Sequence, residues 1–246
     1  MVVVAGAVWY VRSQSYGQVQ GVATASWMFD GTTWRVSGKP PTCPSPLTLV
    51  APVDLKKATA ILYPGQSRGG NYKPHGGFRF DKSKNTDIKV KAPMDAVVVE
   101  GSRYLEGGEV QYMFSFINPC GIMYRFDHLH TLAPKLAALA EKLPAPKNGD
   151  SRTTPFNSGV AVTAEEVVAT AVGFPKSNNT SVDWGVYDLR NKNAAAQNPS
   201  FAAQHDNQQA EHALCWFDVL SAGDKASVKK LPAGDAKSGK KSDYCR

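Results

Sequence analysis

The chain has 246 residues, 42% of them hydrophobic and 20% charged, an ordinary balance for a folded globular protein with one large domain or two small ones. Lysine and arginine exceed aspartate and glutamate by 28 − 21 = 7, which admits an anionic partner. Nucleic acid is set aside, because the basic runs carry no interleaved aromatics for stacking and no helical motif for a groove.

The first stretch, "MVVVAGAVWYVRSQS", is apolar up to Arg12. It is shorter than the roughly 20 residues a membrane span needs, and it lacks the positive start of a signal peptide. Residues 1–15 therefore read either as the tail of a signal or anchor segment or as a buried strand. Residues 16–60 form a proline- and glycine-rich extension; "SGKPPTCPSP" is too rich in proline for a regular element. From residue 61 short β-rich runs take over, among them "DIKVKAP", "DAVVVEG", "EVQYMFSFI", "GIMYRFDHL", "GVAVTA", "VVATAVGF" and "SVDWGVYDL", bounded by Gly, Pro, Asn or Asp. Within this β domain, residues 61–222, Leu132, Leu136, Leu139 and Leu143 recur at helical spacing and predict an amphipathic helix over about 131–143. A second, weaker helical pattern begins at "PSFAAQHDNQQAEH". Residues 223–246 form a tail in which Lys225, Lys229, Lys230, Lys237, Lys240 and Lys241 crowd together. That tail is either a solvated face or a contact with wall polymers or lipid headgroups. The expectation is a mainly β protein with one or two helical insertions.

Four cysteines, Cys43, Cys120, Cys215 and Cys245, include no CxxC pair and do not match a zinc ribbon. Two disulfides in an oxidising compartment fit them, with three connectivities open. Cys120–Cys215 with Cys43–Cys245 is preferred here, and a local Cys215–Cys245 loop is its main rival. Either way the tail is tethered and the protein is expected outside the cytoplasm, extracellular or periplasmic.

Among the five histidines, His205 and His212 stand seven apart, which is wrong for a metal pair on one helix. In "FDHLH", His128 and His130 share a face if the segment is a regular strand, and could offer two nitrogens to one metal. Other chemistry is poorly served. No serine lies in a G-x-S-x-G elbow, and "PGQSRGG" lacks the lysine of a phosphate loop.

The succession "HGGFRFD", "IKVKAPMDAVVVEG", "GIMYRFDHLH", "VAVTAEEVVATAVG" and "SVDWGVYDLR" resembles the lysostaphin-type (LytM-like) zinc metallopeptidases, peptidoglycan endopeptidases built on a duplicated-hybrid-motif β-sheet. The resemblance covers about residues 61–190 and rests on order and spacing. It implies a His-x-x-x-Asp pair of zinc ligands at the start, a catalytic histidine in a Tyr-x-His-Leu strand, and a final His-x-His strand. His75 then matches the first ligand and His128 the catalytic histidine. Arg79 stands where the aspartate ligand belongs, Asp183 replaces the second catalytic histidine, and Gly185 replaces the third ligand. One ligand of three remains. The expectation is a non-catalytic member without a cofactor, in which an Arg79–Asp183 ion pair replaces zinc. Its groove of His75, Arg79, His128 and Asp183, flanked by Tyr124 and Trp184, would bind a cell-wall peptide, a glycan or a protein partner. One alternative is an active zinc peptidase with a rearranged site drawn from His75, Asp81, His128, His130 and Asp183, the metal held by His75, Asp81 and Asp183. A second alternative is a structural surface or assembly component.

Overall fold

The computed structural model describes residues 25–246, and the apolar N-terminal stretch lies outside them. The described chain is mainly antiparallel β. A detached hairpin comes first, β1 (Ala25–Phe29) with β2 (Trp34–Gly38). The main sheet draws on β3 (Ala60–Leu62), β6 (Gly76–Arg79), β7 (Val90–Lys91), β8 (Ala96–Glu106), β9 (Glu109–Ile117), β10 (Ile122–Leu132), β11 (Thr154–Val162), β12 (Val167–Val172) and β13 (Ser181–Asp188). Between β3 and β6 lies a small hairpin, β4 (Gln66–Arg68) with β5 (Asn71–Lys73). Helices α1 (Pro134–Ala140), α2 (Pro199–Gln204), α3 (Gln208–His212) and α4 (Ala222–Lys230) fill the connections.

The strand order β11-β8-β9-β10-β13-β6-β3 places β10 near the middle. Valine and aromatic residues make β8, β9 and β10 long, and Gly107 and Gly108, both at positive φ, close the two-residue turn between the first two. Along one edge β10 changes partner. Ile122 to Asp127 pair with β13, and Leu129 to Leu132 pair with β12. His128 sits at that switch.

One face of the sheet is apolar. Phe78, Phe116, Tyr124, Phe126 and Trp184 are fully buried there, and Trp216 packs onto Phe78 and Trp184. Leu136, Leu139 and Leu143 join the same core, while Leu132 remains the last residue of β10. The helix is shorter than the leucine spacing predicts because residues 131–132 keep their β12 pairing and Pro134 takes the first helical position. The weaker helical pattern is split: Asn198 caps α2, His205 ends it, and Asn207 caps α3 anew.

The disulfides are Cys43–Cys120 and Cys215–Cys245, not the preferred pairs. The proline-rich extension lies against the turn after β9, which brings Cys43 to Cys120 with Cα atoms 5.1 Å apart. The tail folds back over the loop after α3, where Cys215 meets Cys245 at 4.9 Å. The tail also bonds to the strand edge, through Ile61 N–H to Pro232 O and Gly234 N–H to Ile61 O. Two disulfides are consistent with an oxidising location. No helix among the described residues is long and apolar enough to cross a membrane.

Candidate functional site

The face opposite the core carries the polar groups, and strand register explains which ones. Asp127 pairs with Asp183, Arg125 with Gly185, and Asp183 with Gly77, so their side chains share that face. Their neighbours Tyr124, Phe126 and Trp184 point the other way because side chains alternate. Over the polar face lies a cleft of about 720 Å³, bordered by Lys73, Tyr104, Glu106, His128, Arg152 and Gln209.

At its base His75 and Asp183 meet, with Nε2 3.0 Å from Oδ2. The other ring nitrogen, Nδ1, is 2.6 Å from Arg125 Nη2. A guanidinium can only donate, so Nδ1 accepts and the imidazole proton lies on Nε2, which donates to Asp183. Burial, then the Arg125 charge, push His75 down to about 4, although the Asp183 bond works the other way. The imidazole is therefore neutral at pH 7. Asp183 is held below the usual carboxylate range: burial opposes its charge, and the His75 bond, His128 and Arg68 outweigh burial. Arg125 stays charged against burial because Tyr187, Asp127, Asp183 and Glu100 lie nearby, and its Nη1 donates to Gln209 at 2.9 Å. Arg68, also buried, donates to the carbonyls of Tyr63 and His75 and fixes the strand entry beneath the pair.

His128 stands at a β-bulge. The register of β10 against β9 shifts between Phe126 and Leu129, and His128 has φ +60°. For a histidine in a strand that conformation is strained, and local bonds hold it. Asp127 Oδ1 accepts from the His128 N–H at 2.8 Å and from the Tyr104 hydroxyl at 2.5 Å. The imidazole is thereby turned toward the cleft. Its Nε2 lies 3.9 Å from Asp183, and its Nδ1 lies 3.4 Å from Tyr104 Oη and 4.0 Å from Glu106. Burial and then Asp127 push the Tyr104 phenol far above its ordinary range, so it remains a donor.

The structure thus brings together His75, His128 and Asp183, which lie more than 50 residues apart in sequence. It does not bring Arg79 to them. Arg79 pairs with Ser181, two positions along β13 from Asp183, and its guanidinium bonds to Asp81 at 2.9 Å near the sheet edge. The guanidinium beside the pair is Arg125. Asp81 is held by Arg79 and Thr59 and takes no part in the cleft. Tyr124 and Trp184 do not flank the groove either; both are completely buried on the core face, where Tyr124 donates to Met94 O. The bulge also separates the two histidines of "HLH", since His130 faces Glu109, 3.6 Å away, instead of Asp183. His205 stacks on Tyr72, and His212 is buried against the carbonyls of Asp188 and Asn191.

These residues do not fit a zinc ion. Both nitrogens of His75 are engaged, Asp81 is elsewhere, and a fixed cation already borders the pair. At Gly185 a Cβ would stand 2.3 Å from Tyr187 Oη, so the phenol fills the space a side chain would need. No cluster of three or more His, Cys, Asp or Glu placed to hold a metal occurs among the described residues.

Sequence reasoning missed Arg125, Tyr104, Asp127 and Glu106. Arg125 and Asp127 had a signal, the alternation of "YRFD", which puts both on the face that the aromatics leave. Tyr104 and Glu106 come from the neighbouring hairpin and had none. No known protein family, no curated protein and no solved structure matches this chain.

Proposed function

We propose that this chain is a non-catalytic relative of the lysostaphin-type peptidases, exported and disulfide-bonded, that binds a cell-wall peptide in the cleft over its polar face. The observation that carries this reading is the convergence of His75, His128 and Asp183 at one cleft, with both nitrogens of His75 engaged, Nδ1 by Arg125 and Nε2 by Asp183. The order of segments along the chain expects that convergence for this family, and the Arg125 bond removes the Lewis acid its chemistry requires. What remains is a recognition surface. Asp183, Asp127 and Glu106 offer acceptors to ammonium or amide groups, and Lys73 and Gln209 offer donors to carboxylate or carbonyl groups.

Titration calorimetry with soluble wall-derived peptides tests the reading, with wild type compared to Asp183→Asn and with peptide integrity followed by mass spectrometry. The expected result is saturable binding without cleavage, weakened about tenfold or more in the variant, as befits loss of a charge-assisted contact. Cleavage of the peptide by zinc-loaded wild type would overturn it, and so would binding that ignores Asp183.

A further inference from the structure

A second, smaller pocket of about 350 Å³ adjoins the cleft and shares Arg152 and Thr153 with it. Its walls come from β8, the loop at residues 144–150 and the start of β11. These segments are tied together by Leu105 N–H to Lys147 O, by Gly149 N–H to Leu105 O and by the Thr154–Gly101 pairing. Three cations line it, Arg103, Lys147 and Arg152, against the single carboxylate of Asp150.

How those cations are held matters. Arg103 donates through Nε to Pro144 O and through Nη2 to Leu143 O, which fixes the guanidinium and leaves Nη1 without an acceptor among the described residues. Arg152, whose side chain is 85% exposed, gives Nε and Nη2 to Asp150 and keeps Nη1 without an acceptor among the described residues. Lys147 makes no hydrogen bond through Nζ to the described residues, and its charge acts on Asp150. Ser102 also lines the pocket, 2% exposed; its hydroxyl has no hydrogen-bond partner among the described residues and no accessible surface of its own.

We infer that this pocket is an oxyanion subsite, built to take a carboxylate or phosphate group on Arg103, Lys147 and Arg152. Each guanidinium keeps Nη1 to donate to such a group, and a charge-assisted contact of this kind is stronger than a neutral one. The inference stands apart from the wall-peptide reading, because a free oxyanion is enough to test it.

The experiment titrates isotope-labelled protein with inorganic phosphate and, separately, with acetate, at constant ionic strength. It follows the Nε–H signals of Arg103 and Arg152 and the amide signals of residues 147–154. Saturable shifts confined to this set are expected, with the affinity reduced about tenfold in Arg103→Gln and in Lys147→Gln. Lys147→Gln changes a side chain without hydrogen bonds and so keeps the test open if Arg103→Gln unfolds the loop. Saturation by phosphate alone assigns the site to phosphate esters, by acetate alone to carboxylates, and by both to either group. Shifts that never saturate, or that spread equally to the lysines of residues 225–241, overturn the inference.

Discussion

The two faces of the central sheet are built from alternate residues of the same strands, yet they are held by different physics. On one face Phe126 and Trp184 lie side by side in register, fully buried, and are held by burial of apolar surface rather than by matched charge. On the other, one residue away, Arg125, Asp127 and Asp183 are partly buried at the base of the cleft, where each charge is matched by another. Apolar contacts degrade gradually when one is trimmed. A matched charge cluster fails at once when a member is removed, because the others are left buried and unpaired.

The sharpest way to break this contrast is to truncate one residue from each face. Trp184→Ala should cost about 3–5 kcal/mol in denaturant unfolding, through lost burial and a cavity. Arg125→Met roughly keeps the volume and removes the charge together with its hydrogen bonds to His75 and Gln209, and is expected to cost about as much, roughly 3–5 kcal/mol, because Asp127, Asp183 and Glu100 lose their common counter-charge. A cost below about 1 kcal/mol for Arg125→Met would mean that the polar face behaves as solvated surface.

Acid sharpens the same comparison, since it acts on the polar face alone. His75 has a folded value of about 4 against an ordinary 6.5, so the unfolded chain binds the proton more readily. The stability associated with the neutral imidazole is complete above pH 6.5 and is lost as pH falls toward 4. The loss amounts to about 3 kcal/mol across that window. Asp183, whose folded value is also depressed, has the same sign at still lower pH. In His75→Gln the decline between pH 6.5 and 4 should flatten relative to wild type in paired urea titrations. Parallel curves for the two proteins would contradict a neutral, Arg125-bound imidazole.

Much of this was legible in sequence, and the failures are instructive. Runs such as "EVQYMFSFI" made the β architecture readable, and the order of segments drew attention to His75, His128 and Asp183, although only folding brings them together. The assignment of Tyr124 and Trp184 to the groove failed on parity: each adjoins a residue of the polar face, and strand alternation sends it to the core. The preferred disulfide pairing failed for a different reason, while its rival, the local Cys215–Cys245 loop, is the one that forms. Which cysteines meet depends on where the extension and the tail cross the sheet, and neither path is encoded by local spacing. The bulge at His128 has no local signature either, because β10 bends there to change partners from β13 to β12, and those partners are distant in sequence.

Arg79 gives the smallest expected effect and the cleanest separation of the two arginines. It resembles Arg125 in chemistry and lies on the neighbouring part of the sheet, but its side chain is 38% exposed and its partner Asp81 is 51% exposed. Water screens that pair, and long side chains lose entropy in forming it, so Arg79→Ala should cost less than about 1 kcal/mol. It should also leave the His75 pH dependence intact, because no Arg79 atom contacts the imidazole or Asp183. A combined measurement of unfolding at pH 7 and pH 5 decides this. If Arg79→Ala instead removed the acid sensitivity while Arg125→Met kept it, the charge that governs the His75–Asp183 pair would have to come from the sheet edge. The register that places Gly185 beneath Arg125 would then have no bearing on the site.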